Sequence, residues 1–207
     1  MADEPGRKQR AGLSRRNLMK GAGLAAASGA IFRGLEAFAE EAGADVRTQG
    51  PDAVTFKLRL NGREQSLVAE PRQTLLEVLR LPPMDLTGAK PVCDRGQCGA
   101  CTIWLDGLPT SACGVLAVEA EGRDVTTVEG LGTPEKPHPV QKAFVEEDAL
   151  QCGFCTPGMV MSVAHAVNTH GKALTAEQAK AATSGNLCRC GAHPHIVKAA
   201  LRAARGG

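Results

Sequence analysis

Three cysteines stand within nine residues, Cys93-Asp94-Arg95-Gly96-Gln97-Cys98-Gly99-Ala100-Cys101, and Cys113 follows after eleven more. No other stretch constrains the fold so tightly, because four thiols at this spacing must converge on something. C-x4-C-x2-C followed by a fourth cysteine is the plant-type spacing of thiolates around a [2Fe–2S] cluster. The residues between them suit that task. Gly96, Gly99 and Ala100 are small, so the backbone can wrap closely and aim N–H groups at sulfur, drawing off the cluster's negative charge. A zinc knuckle or a disulfide loop is the alternative, and two glycines and an alanine among such close cysteines favour iron–sulfur over both.

A second set lies further on. Gln151-Cys152-Gly153-Phe154-Cys155 gives C-x2-C before one expected helix, and Cys188-Arg189-Cys190 gives C-x-C before another. Thirty-two residues separate the pairs, enough for them to face each other across two helices. Four thiolates gathered at helix N-termini would meet the positive dipole ends, which suits an anionic group. Taken alone, this set fits zinc held by four cysteines as well as it fits iron–sulfur. Disulfides fit less well, because i,i+2 and i,i+3 pairs meet bridge geometry poorly.

Between and around the cysteines the chain divides in two. Val54 to Leu60 alternates apolar and polar, as a half-buried strand does. Asn61-Gly62 is a hairpin signal, with Arg63 to Ala69 returning. Thr74 to Arg80 reads as a short capped helix stopped by Pro82-Pro83, and Thr102–Leu105 as a strand turned at Asp106-Gly107. Asp124 to Val128 reads as a last strand. Beyond a Pro/Gly-rich connector at 130–139 the signals are helical: Val140 to Glu147, Thr156 to about Asn168 with Thr156 as N-cap, a capping box at Thr175–Gln178, and Ile196 to Ala204. The expected fold is α+β: a β-grasp ferredoxin-like domain over 54–129, the 130–139 linker, and a four-helix bundle over 140–207.

The N-terminus reads as an address. Ser14-Arg15-Arg16-Asn17-Leu18-Met19-Lys20 resembles a twin-arginine motif, with Leu18 where the usual pattern prefers Phe; a weakly apolar run from Gly21 to Phe32 follows, and Ala37-Phe38-Ala39 supplies a cleavage site. This marks 1–39 as a signal peptide cleaved after Ala39 and 40–53 as a flexible lead-in. The run is too short for a stable membrane anchor. Its Gly21-Ala22-Gly23-Leu24-Ala25-Ala26 matches a loose dinucleotide fingerprint, but no strand precedes it. Twin-arginine export carries folded proteins, so clusters assembled in the reducing cytosol can reach the periplasm already inserted. Residues 1–39 carry seven Lys/Arg against three Asp/Glu, whereas the remainder carries seventeen against nineteen. A mildly acidic body without a basic stripe gives no support to nucleic-acid binding.

Four blocks occur in one order: Cys-Asp-Arg-Gly-Gln-Cys-Gly-Ala-Cys-Thr (93–102), Thr-Val-Glu-Gly-Leu (127–131), Gln-Cys-Gly-Phe-Cys-Thr-Pro-Gly (151–158) and Ser-Gly-Asn-Leu-Cys-Arg-Cys-Gly-Ala (184–192). Over about residues 54–204 the chain resembles the iron–sulfur subunits of xanthine dehydrogenase-family molybdenum hydroxylases. With the twin-arginine leader it most resembles the small subunit of periplasmic aldehyde oxidoreductases. The resemblance implies two [2Fe–2S] clusters, one on Cys93, Cys98, Cys101 and Cys113 and one on Cys152, Cys155, Cys188 and Cys190. It implies a large subunit with a molybdenum–pterin cofactor and an FAD-binding medium subunit, with Gln151 and Cys190 against the pterin and Gly99 close to the first cluster. The substrate pocket would lie on another chain. A variant of this reading is an N-heterocycle hydroxylase with a cytochrome as electron exit; a different one is a zinc or disulfide module.

Two departures from the family pattern stand out. Pro91-Val92 precedes Cys93 where the family often has Lys-Gly, and His193-Pro194-His195 replaces a stretch that usually carries an aromatic. His193 and His195 have no third ligand in spacing, so a surface or subunit-contact role is expected. His138 and His170 read as loop residues, and His165 as a packed or solvated helix residue. Arg189 either offsets cluster charge or faces solvent. Trp104 is expected in the core or at a subunit interface.

Overall fold

The computed structural model describes residues 49–206. The twin-arginine motif, the apolar run, the Ala39 cleavage site and most of the lead-in lie outside the described residues.

Strand β1 (Val54–Leu60) turns at Asn61 and Gly62, both at positive φ, and pairs antiparallel with β2 (Arg63–Ala69). Its alternation places Phe56, Leu58 and Leu60 inward. Helix α1 (Leu75–Arg80) opens with a capping box: Thr74 accepts from the Glu77 amide, and Glu77 reaches back to the Thr74 amide. Strands β3 (Thr102–Leu105), β4 (Leu108–Ser111) and β5 (Asp124–Thr126) complete a five-stranded sheet in the order β2-β1-β5-β3-β4. Strand β5 runs parallel to β1 and antiparallel to β3, so the sheet is mixed.

Strand β5 stops two residues earlier than its pattern predicts. Asn61 accepts from the Thr127 amide at 2.9 Å and donates to the Thr127 hydroxyl at 3.1 Å, and the chain then coils into a 3-10 turn at Val128–Gly130. One asparagine thus shapes the hairpin and ends the distant strand.

Four helices follow: α2 (Pro139–Glu146), α3 (Thr156–His170), α4 (Ala176–Ala182) and α5 (His193–Arg205). The helix boundaries differ from the sequence expectation by one to three residues. Helix α3 is capped by Cys155 rather than Thr156, which occupies the first helical position, and the helix continues to His170, where Gly171 ends it at positive φ. His170 is therefore a helical residue, not a loop residue. Helix α5 begins at His193, because its polar first turn breaks the apolar periodicity without breaking the helix. His138 is not a plain loop residue either: it caps α2, its Nδ1 accepting from the Val140 amide at 3.3 Å.

Two hydrophobic clusters result. One lies between the sheet and α1, and contains Phe56, Leu58, Leu75, Leu79, Ile103 and Val125 together with Cys101 and Cys113. The other lies among the four helices, around Val140, Phe144, Met159, Val163 and Ile196. Strand β3 is the shared wall. Ile103 and Leu105 point into the first cluster, while Trp104 packs against the second. The Trp104 indole N–H donates to the Met161 carbonyl at 3.0 Å, and its ring meets His165 edge-on at 6.3 Å. Trp104 is thus the bolt between sheet and helices, and His165 is packed against it. The connector is packed as well: Leu131, with Val128 just before it, lies on the helical cluster.

On the far side Arg202 bridges Glu146 at 2.7 Å and Glu147 at 2.9 Å, and His195 Nδ1 meets the Glu147 carbonyl at 2.9 Å, tying α5 to the end of α2. Among the described residues no helix is long and apolar enough to cross a membrane.

The α2 cap generates a pH prediction. Burial holds the His138 imidazole below its ordinary value of 6.5, and Nδ1 must stay unprotonated to accept. The folded protein then resists a proton that the unfolded chain takes up, so this contribution is intact above the ordinary value and is lost as pH falls below it. His138→Ala should cost about 1 kcal/mol at about pH 8, and the gap to the unmodified protein should narrow by about pH 5.5 when urea midpoints are compared.

Candidate functional site

The first cysteine loop is held at both ends. Arg80, in the last turn of α1, donates to the carbonyls of Thr87 and Ala89, and the Lys90 amide donates to Ala100 across the loop. Glu129 receives the Gly88 amide at 2.7 Å. Within the loop, Asp94 and Gly96 take the left-handed turns. Val92, whose branched side chain suits such a turn poorly, is not called on to make one and lies exposed.

These turns aim N–H groups at sulfur. Cys93 Sγ accepts from the amides of Arg95, Gln97 and Cys98, and Cys113 Sγ accepts from the Gly96 amide at 3.1 Å. The four thiols group two and two: Cys93 with Cys98, and Cys101 with Cys113. The Arg95 amide, followed by the Cys98 thiol, lowers the Cys93 thiol to about 6. Burial in the sheet core pushes Cys101 up to about 12.

The second set shows the same pairing, with Cys152 beside Cys190 and Cys155 beside Cys188. Cys155 caps α3, while Cys188 and Cys190 sit just ahead of α5, so thiols stand at two helix N-termini. The Phe154 amide lowers the Cys152 thiol. Burial opposes ionisation of Cys188, but the amides of Ala192, Cys190 and Gly191 outweigh it and lower that thiol. Burial raises Cys155 to about 12. The four thiols differ in exposure. Gln151 and Cys152 are exposed, Cys155, Cys188 and Cys190 are half-buried, and Cys152, Cys155 and Cys188 border a cleft of about 400 Å3 that also reaches Cys98 of the first loop.

The two sets meet through backbone. The Leu187 amide, next to Cys188, donates to the Cys98 carbonyl at 2.9 Å. Gly99, at positive φ, lies so close to Gly185 and Asn186 that a Cβ would collide with them, and a Cβ on Gly158 of α3 would strike the Gly99 carbonyl. Gly99 therefore serves the seam between the sets. Sequence reasoning placed Asn186 and Thr102 inside the shared blocks but gave a role to neither, and it did not single out Ser162. All three are buried; Ser162 and Thr102 are polar positions inside otherwise apolar elements, whereas Asn186 lies in a loop.

The arrangement tests the group it could hold. A tetrahedral zinc site needs four ligands on one ion. Thiols paired two and two, their sulfurs ringed by N–H donors, fit a centre with two irons and an anionic sulfide core. Both sets fit it.

Comparison with known proteins agrees. A [2Fe-2S] binding domain family matches residues 127–201. The aldehyde oxidoreductase iron-sulfur-binding subunit PaoA of Escherichia coli (strain K12) is 36% identical over 201 residues, 90% of this chain and 86% of that protein. The chain belongs to the iron–sulfur subunits of the xanthine dehydrogenase-family molybdenum hydroxylases. This iron–sulfur subunit, part of an oxidoreductase, is also 42% identical over 137 residues to the nicotinate dehydrogenase small FeS subunit of Eubacterium barkeri, covering 66% of this chain and 86% of that one. It superposes on a chain of quinoline 2-oxidoreductase from Pseudomonas putida 86 with a TM-score of 0.67 at 37% identity, covering 75% of this chain and 98% of that one.

The seam of the iron–sulfur subunit is open to a direct test. Alanine is favoured over glycine inside a helix by about 1 kcal/mol, yet Gly158→Ala must push the Gly99 carbonyl away. Overpacking of this kind costs about 1–3 kcal/mol, so the unfolding midpoint should fall; an unchanged or higher midpoint would show that the seam has slack.

Proposed function

We propose that this chain is the electron-transfer subunit of a periplasmic molybdenum hydroxylase and carries two [2Fe–2S] clusters. Cys93, Cys98, Cys101 and Cys113 would hold one in a β-grasp ferredoxin-like domain. Cys152, Cys155, Cys188 and Cys190 would hold the other in a four-helix bundle. When bound, each cluster supplies a one-electron carrier. The observation that carries the reading is the two-and-two pairing in both sets, joined by the Leu187 N–H to Cys98 C=O bond. A chain built this way conducts, and the substrate pocket belongs to a partner.

The partners in this reading are a large subunit with molybdenum–pterin cofactor and an FAD-binding medium subunit. Gln151 is exposed, and half-buried Cys190 lies beside exposed Cys152, which suits the pterin-side role that the family resemblance gives them. Similarity to an aldehyde oxidoreductase subunit over 90% of the chain favours oxidation of aldehydes to carboxylic acids. The nicotinate dehydrogenase relative supports the N-heterocycle part of a second reading, the same subunit in an N-heterocycle hydroxylase, for which a cytochrome would be the electron exit. Copurification of haem rather than FAD would decide for that one.

The leader supplies the route. Arg15-Arg16 would direct the folded chain, clusters inserted, through the twin-arginine export machinery, with cleavage after Ala39. Replacing both arginines with lysine should leave the cluster-loaded protein in the cytoplasm on fractionation.

The purified chain should contain about four irons and four acid-labile sulfides and give two distinct rhombic EPR signals on reduction. A colourless protein with stoichiometric zinc would overturn the reading. Gln151→Ala should keep both clusters while slowing their reduction by substrate through the molybdenum subunit. Loss of cluster content in that variant would contradict the pterin-side role.

A further inference from the structure

Asn186 is buried, yet its carboxamide is fully engaged and every bond it makes crosses between elements. Its Nδ2 donates to the Gly99 carbonyl at 2.8 Å, in the first cysteine loop, and lies 3.3 Å from the Thr102 hydroxyl at the start of β3. Its Oδ1 accepts from the Ser162 hydroxyl of α3 at 2.8 Å. The Thr102 hydroxyl in turn donates to the same Gly99 carbonyl at 2.7 Å. From behind, the Asn186 amide bonds to the carbonyl of Thr183, itself buried at the end of α4. Loop, strand and helix are thus pinned to a single side chain.

The position of that side chain gives the network its consequence. The next residue, Leu187, supplies the N–H that meets the Cys98 carbonyl, and the one after is Cys188. Cys98 belongs to the first set and Cys188 to the second. The route from Cys98 Sγ to Cys188 Sγ therefore runs through covalent bonds and one hydrogen bond, and Asn186 anchors both strands of that crossing. The Gly99 carbonyl, one peptide beyond Cys98, is fixed by Asn186 and Thr102, while Gly158 lets α3 approach it without a side chain between.

We infer that Asn186 is a positioning residue that sets the separation and bonded contact of the two cluster sites, and so governs exchange between them. The inference rests on the two-cluster reading above. A buried asparagine kept only for packing would need no such convergence, since apolar residues of similar volume fill such a space without polar partners to satisfy. The polar solution fixes direction as well as distance.

The test uses the full-length chain in the complex in which it is produced, reduced fully with dithionite and examined by low-temperature EPR. The unmodified protein should show two signals with mutual splitting from spin–spin interaction. Asn186→Ala should keep about four irons per chain while the splitting is lost or markedly reduced, because the loop and the Leu187 peptide are no longer held together. Ser162→Ala, which removes only the donor to Asn186 Oδ1 and is seven residues from the nearest ligand cysteine along the chain, should weaken the splitting in the same direction. Its outcome decides the question if Asn186→Ala loses iron. Full iron with unchanged splitting in either variant would overturn the inference. Fewer than two signals in the unmodified protein would overturn the two-cluster reading itself, so the two failures are distinct.

Discussion

The hydrogen bond from the Leu187 amide to the Cys98 carbonyl is the contact on which the rest of the structure depends. For it to form, a loop inserted between α1 and β3 must lie flat on a loop between α4 and α5. That demands backbone without side chains at the seam, which Gly99 and Gly158 supply, and a buried polar anchor, which Asn186 supplies. It also demands that sheet and helices be fixed to each other. Trp104 does this by reaching from β3 into the helical cluster to bond Met161.

The thiols show how one chain prepares sites for an anionic group. The outer sulfurs, Cys93 and Cys152, are lowered by amides of their own turns, whereas Cys101 and Cys155 are raised by burial. Metal binding displaces the thiol protons outright, and burial then excludes water from the sulfurs. The N–H donors contributed by tight turns are what make burial of a negative group tolerable. Short turns rich in glycine are therefore a requirement of the chemistry.

Much of this was legible in the residues. Asn61-Gly62 announced the hairpin because few other pairs adopt two positive φ values, and Thr74 and Thr175 announced helix starts through capping boxes that the structure contains. The cysteine spacings announced two four-thiol sets. What escaped depended on partners far along the chain. Thr156 looked like a cap, but the neighbouring Cys155 takes that place while its sulfur is engaged with Cys188. Asp124 to Val128 looked like one strand until Asn61, 66 residues before Thr127, drew the chain aside. Asn186 stands in one of the shared blocks, yet nothing local told its role, because that role lies in Gly99, 87 residues earlier. The leader and the export route rest on sequence alone.

Iron-edge anomalous diffraction from crystals of the intact complex tests the central claim most directly. The account predicts two pairs of iron peaks in this chain, one among Cys93, Cys98, Cys101 and Cys113 and one among Cys152, Cys155, Cys188 and Cys190. Each iron should lie nearest to one thiol pair. A single metal peak at the centre of either set, or sulfur–sulfur bonds in place of iron, would contradict it.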